Sequence, residues 1–90
     1  MKEELIRTET LLGGEAIDRL ARAHVAVFGI GGVGSYCAEA LARSGIGALT
    51  FVDADTVSRS NINRQLVALH STVGMPKAEV MAARARDIDP

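Results

Sequence analysis

Val25-Ala-Val-Phe-Gly-Ile-Gly-Gly-Val-Gly34 is a short apolar run that breaks into glycines and then reads on as a helix. Its spacing, Gly29-x-Gly31-x-x-Gly34, is that of a strand-turn-helix built to receive a phosphate, and each glycine has a mechanical job. Gly29 permits the tight turn off the strand, Gly31 lets the backbone approach a phosphate with no Cβ in the way, and Gly34 lets the helix pack closely. With Gly32 between them, these are the candidate phosphate-binding residues. The following helix opens with free N–H groups and the positive end of its dipole, where an anion finds donors.

Glycine spacing alone is weak, and the flanks carry the reading. Upstream, Val25 to Phe28 form an unbroken apolar run, as expected of a strand buried on both faces of a parallel sheet. Downstream, Val33, Tyr36, Cys37, Ala40 and Leu41 fall on one helical face, predicted to be the buried one. On that placement Cys37 is a packing residue. Gly45-Ile-Gly47 ends the helix, and a second strand, Ala48 to Val52, delivers Asp53 and Asp55 at its carboxyl end. That is the edge where open α/β sheets bind ligands, and Asp53 stands where an acid that binds ribose hydroxyls is expected. Alternation along an extended chain puts the two acids on the same side. A glycine turn serving packing alone is the alternative.

Ninety residues allow at most one domain, and 48% hydrophobic with 23% charged residues is an ordinary globular composition. Two strands leave both sheet edges unpaired, and the chain stops at Ile88-Asp-Pro90 where a third strand is due. The expectation is an N-terminal fragment of a doubly wound α/β nucleotide-binding fold with an incomplete sheet, not by itself a competent enzyme. Residues 1–23 form an arm and a helix, and residues 24–90 form the first part of the nucleotide-binding domain. A net charge of −1 gives this segment no dedicated polyanion surface. The single cysteine and the lack of a long apolar run lead to the expectation of a reducing, cytoplasmic setting.

Along the chain, Met1 to Thr10 read as a short charged arm, and Gly13-Gly14 as a turn. Ala16, Ile17, Leu20 and Ala21 make the apolar stripe of a surface helix, while His24, which opens the first strand, and His70 are structural or solvated. Thr56 to Gln65 is too polar for a mere connector. Ser58 or Ser60 caps a predicted short helix with Ile62, Leu66 and Leu69 on its apolar side and Asn61 and Arg64 projecting from one face, either toward one ligand or as a solvated face. Pro76 starts the last helix, with Ala78, Met81, Ala82 and Ala85 inward. Lys77 falls in its first turn, mildly unfavourable against the helix dipole unless an anion is nearby.

Gly29-Ile-Gly-Gly-Val-Gly34, Val52-Asp-Ala-Asp-Thr-Val-Ser58, Ser60-Asn-Ile-Asn-Arg-Gln65 and Gly74-Met-Pro-Lys77 together resemble the ATP-dependent adenylyltransferases related to ubiquitin-activating enzymes. Those include the molybdopterin-synthase and thiamine-biosynthesis adenylyltransferases. The resemblance covers nearly the whole chain from about Arg7, and Asn61 to Gly74 looks most like the branch that dehydrates threonylcarbamoyladenosine in tRNA to its cyclic form. It implies that Gly29, Gly31 and Gly34 build the ATP loop, that Asp53 holds the ribose, and that Asn61, Arg64 and Lys77 contact phosphates. Arg64 and Lys77 become the catalytic candidates, Arg64 matching an arginine that reaches across family dimers, and Arg7 aligns loosely with another phosphate contact. It further implies a magnesium ion whose ligand lies past Pro90, a homodimer, a tRNA or sulfur-carrier protein as substrate, and a cysteine-desulfurase system among the partners. Two rivals stay open: an NAD-dependent oxidoreductase, which leaves Asn61, Arg64 and Lys77 without a joint use, and a non-catalytic scaffold subunit.

Overall fold

The computed structural model describes residues 2–90, and Met1 lies outside the described residues. A 3-10 turn, Glu3–Leu5, runs into α1 (Ile6–Leu12), followed by α2 (Gly14–Arg22), β1 (His24–Phe28), α3 (Gly32–Arg43), β2 (Ala48–Val52), a 3-10 turn at Arg59–Asn61, and α4 (Lys77–Ile88). The strands are parallel, pairing His24 with Ala48 through Phe28 with Val52, and α3 makes the crossover between them. This is the α/β architecture expected from the sequence, with the sheet limited to two strands.

Residues 3–12 are helical rather than an arm. Glu3 and Glu4 sit in the first turn, where acids favour the helix dipole, and no glycine or proline intervenes until Gly13. Leu5 is buried at the start of this segment, beneath the glycine that ends α3.

The core joins Val27 and Ile30 to Ala38 of α3, Val57, Val67 and Ala68 of the long loop, and Met81 of α4. Here the expected helix face is corrected. Val33, Tyr36, Cys37 and Ala40 of α3 are exposed, and the buried stripe is Ser35, Ala38 and Ala42. Both stripes have helical period, so spacing cannot choose between them. Close approach chooses: a Cβ on Gly34 would stand 1.7 Å from the Gly29 carbonyl oxygen, so α3 lies against the turn and only small side chains fit beneath it. Cys37 is therefore an exposed thiol, not a packing residue. β1 is likewise not buried on both faces, since Val27 is covered while Phe28 is 77% exposed.

Between β2 and α4 the chain makes a short antiparallel closure. Val57 N–H donates to Met75 O at 2.8 Å, Gly74 N–H to Val57 O at 2.8 Å, and Lys77 N–H to Asp55 O at 3.0 Å. This pairing draws residues 58–74 into a closed loop and brings the start of α4 to the carboxyl end of β2.

Candidate functional site

The first wall of the site is the glycine turn. Gly29 has φ +91°, a conformation that L side chains rarely adopt, and its N–H extends the ladder by donating to Val52 O at 2.8 Å. Gly34 is fixed by contact, as above. Gly31 differs from both: its φ is −91°, and a Cβ there would meet nothing nearer than Gln65 Nε2 at 3.7 Å. Neither backbone strain nor crowding inside the fold requires glycine at 31, which leaves that space for something outside the fold. Gly32 begins α3, whose first N–H groups point the same way.

Asp53 joins strand end to turn. Its Oδ2 accepts from Ile30 N–H at 2.7 Å and its Oδ1 from Asp55 N–H at 2.8 Å. The Ile30 amide first, the Asp55 amide next and the charge of Lys77 in addition hold its carboxyl below the usual range, against a partial desolvation that raises it. A carboxylate has about four lone-pair sites, so two remain for hydroxyl donors such as a ribose pair. The Asp55 side chain is exposed, and its main-chain oxygen carries the bond to Lys77.

Lys77 opens α4 and is only 7% exposed. A buried ammonium at a helix N-terminus is doubly unfavourable, from the dipole and from desolvation, and its charge is felt by the Asp53 carboxylate.

The second wall is the loop after β2. The predicted short helix is absent, and only the 3-10 turn Arg59–Asn61 forms. Asn61 is buried, its Oδ1 accepting from Ser58 N–H at 2.9 Å, so it serves the turn. Arg64 is exposed and donates to Ser60 O at 3.1 Å and Asn63 Oδ1 at 2.9 Å. The two do not project together as a helical i, i+3 pair would. The apolar side also differs, since Val67 and Ala68 are buried and Leu69 is half exposed. Local side-chain bonds compete with a helix here, since Asn61 Oδ1 takes the Ser58 N–H and Arg64 takes the Ser60 carbonyl.

Ser35 stitches this loop to α3. Fully buried, its Oγ donates to Gly32 O and accepts from Leu66 N–H, each at 3.3 Å. Gln65, buried beside Gly31, has an Oε1 with no partner. Neither residue was picked out from spacing; for Gln65 the signal available was its place as the last polar residue, after Asn63 and Arg64, before the apolar run Leu66 to Leu69.

Two helices thus begin at one edge. α3 and α4 are cross-tied by Glu39, which is met by Arg84 through both guanidinium branches and by Arg43 at 3.4 Å. Glu39 and Arg84 each lie seven residues into their helix, so the tie levels Gly32 with Lys77. Arg84, the largest cause, holds the Glu39 carboxyl below its usual range. Two clefts of about 480 and 450 Å³ open at the other end of the strands, around Leu5, Ala42 and Ile46; Arg43 and Arg84 line the first, and neither contains Gly31, Asp53, Asn61, Arg64, Gln65 or Lys77. Arg7 is exposed on α1.

A glycine turn, a strand-end aspartate and a helix-borne lysine on an α/β frame define a nucleotide-binding class of site, and the chain matches the ThiF family model over residues 4–90. It belongs to that family. It is 52% identical over its whole length to the tRNA threonylcarbamoyladenosine dehydratase of Bacillus subtilis and 57% identical over 92% of its length to that of Escherichia coli. The crystal structure of the Escherichia coli enzyme in complex with ATP superposes with a TM-score of 0.96, at 53% identity over 98% of this chain. The chain spans about a third of each relative, 35%, 31% and 36% respectively.

Proposed function

We propose that the full-length protein activates a carboxylate with ATP, and that its substrate is threonylcarbamoyladenosine in tRNA, which it closes to the cyclic form. The observation that carries the reading is the convergence on one strand edge of an unstrained Gly31, the free N–H end of α3 and a buried Lys77. Each is unfavourable or purposeless in the folded chain alone, and a bound triphosphate reverses the sign of all three. The names of the two dehydratase relatives support the choice of acceptor.

In this reaction a carboxylate oxygen attacks the α-phosphorus of ATP, and the bond to the bridging oxygen breaks as pyrophosphate leaves. Charge grows on the phosphate oxygens, where fixed donors aimed in advance lower the barrier. Lys77 supplies a point charge, Arg64 a planar fork once turned from Ser60 O, and Gly31 and Gly32 their amides. Asp53 holds the ribose with its two remaining acceptor sites. The carbamoyl group then attacks the acyl carbon and displaces AMP, an intramolecular step helped by proximity. The sum is loss of one water from the nucleoside and conversion of ATP to AMP and pyrophosphate.

Among the described residues no group of three or more His, Cys, Asp and Glu side chains is placed to hold a metal ion. The family resemblance extends the reading to a cytoplasmic homodimer with Arg64 acting across it.

The test is pyrophosphate exchange into ATP by the full-length protein, with and without tRNA bearing threonylcarbamoyladenosine, and mass analysis of the nucleoside. Exchange that needs this tRNA, with loss of one water, is expected. Exchange that needs a carrier protein's C-terminus would move the acceptor, and tight NAD binding without exchange would end the proposal.

A further inference from the structure

Gln65 is held in place entirely by its backbone. Its N–H donates to Asn61 O and its carbonyl accepts from Ala68 N–H, each at 3.0 Å. The side chain is 8% exposed, and its Oε1 is the one buried side-chain polar atom among the described residues with no partner. Native folds rarely tolerate such a group, and where they do it calls for a purpose beyond packing. Met or Leu at this position would fill the same space without desolvating an amide.

The place of the carboxamide supplies the purpose. Nε2 is the nearest atom to where a Cβ on Gly31 would stand, at 3.7 Å, and Gly31, like Gly32 beside it, is a glycine of the turn that neither positive φ nor crowding explains. Ser35 holds the next residue, Leu66, against the first turn of α3, which keeps the Gln65 backbone close to the helix N-terminus. A glycine without an internal reason thus faces the donor end of a carboxamide whose acceptor end has no internal partner.

We infer that Gln65 is a further phosphate-contacting residue of this site: Nε2 donates to the anion seated on the Gly31 and Gly32 amides. Its role is to select an anion of tetrahedral shape at this turn, from the side opposite the strand. The inference rests on the ATP reading above. Asn61 has its carboxamide oxygen committed to the turn, whereas neither end of the Gln65 carboxamide is bonded within the fold.

The test compares Gln65→Met and Gln65→Glu in the full-length protein by thermal unfolding without nucleotide and by calorimetric titration with ATP. Gln65→Met removes the unpartnered acceptor, so its Tm is expected to equal or exceed that of the unsubstituted protein, while ATP affinity falls roughly 5- to 50-fold. Gln65→Glu keeps the shape and places a carboxylate against the anion, so its affinity falls further at neutral pH. A lower Tm for Gln65→Met with ATP affinity unchanged would make the residue structural and overturn the inference. Should Gln65→Met not fold, ATP affinity unchanged in Gln65→Glu would overturn it equally. If the unsubstituted protein binds no ATP, the nucleotide reading itself fails and the inference falls with it.

Discussion

Gly31→Ala and Gly34→Ala are the same substitution three residues apart, and the geometry separates their consequences. At Gly34 the new Cβ would stand 1.7 Å from Gly29 O and 2.8 Å from Gly29 C, against backbone that cannot swing aside. Relief requires α3 to move off the turn by more than an ångström, which breaks the Asp53–Ile30 bond and the packing of Ala38. Overpacking costs about 1–3 kcal/mol where a side chain can yield, and a backbone clash lies at or above that upper end. At about 3 kcal/mol, a protein the size of the relatives would lose roughly 6–12 °C in Tm. At Gly31 the Cβ would meet only Gln65 Nε2 at ordinary contact distance, so Tm should hold within a degree or two of the starting protein (about 0.5 kcal/mol). The methyl then stands where a phosphate would approach the amides. Loss of one charge-assisted bond, about 1.5–3 kcal/mol, weakens ATP roughly 10- to 150-fold. Differential scanning fluorimetry and calorimetric ATP titration on the full-length variants read the two effects. Gly31→Ala binding ATP as the unsubstituted protein does would refute the claim that this glycine exists for the ligand, and an unchanged Tm for Gly34→Ala would refute the packing geometry.

Lys77→Met fits an apolar side chain of similar length into a buried site, so the fold should persist. Pyrophosphate exchange should fall by two to three orders of magnitude, corresponding to roughly 2.7–4 kcal/mol for loss of a fixed transition-state donor. Exchange within a factor of two of the starting rate would place catalysis elsewhere. Glu39 and Asp53 both have carboxyls held below their usual range in the folded chain. The unfolded state therefore binds more protons as pH falls, and the stability these groups supply is present above about pH 4 and lost as pH drops through their folded values. Glu39→Gln should destabilise the protein at neutral pH and flatten this acid limb in urea melts; an acid limb as steep as before would show that the tie to Arg84 contributes nothing. If Arg64 acts across a dimer, mixing inactive Arg64→Ala and Lys77→Ala chains should restore exchange at one of the two sites of each mixed dimer, whereas an arginine acting within its own subunit leaves the mixture dead.

The turn, both strands, α3 and α4 were legible because local chemistry and tertiary structure agree there: β-branched and apolar runs, glycines at forced positions, proline at a helix start. What escaped was decided by contacts across long sequence separations. Two helical stripes competed on α3, and the choice between them depends on how near Gly34 lets the helix come to Gly29, a distance that no spacing encodes. The loop from Thr56 to Gly74 looked like a helix by period, yet Ser58 and Asn61 satisfy one another and the ends are pinned by Val57 to Met75 and Asp55 to Lys77. That pinning is also why Lys77 belongs with Asp53 although 24 residues separate them in sequence. The polar members of this region then sort by a single criterion: whether the fold already uses their hydrogen-bonding groups. Ser35 is used, Asp53 and Asn61 are half used, Asn61 keeping its amide donors, and the amide of Gln65 retains an unused acceptor. Arg64 is held only by exposed bonds that a phosphate would readily replace, since a guanidinium binds a phosphate more strongly than a neutral carbonyl. Capacity left over after folding, rather than polarity or position in a motif, is therefore the property that separates a ligand-binding side chain from a structural one at this turn.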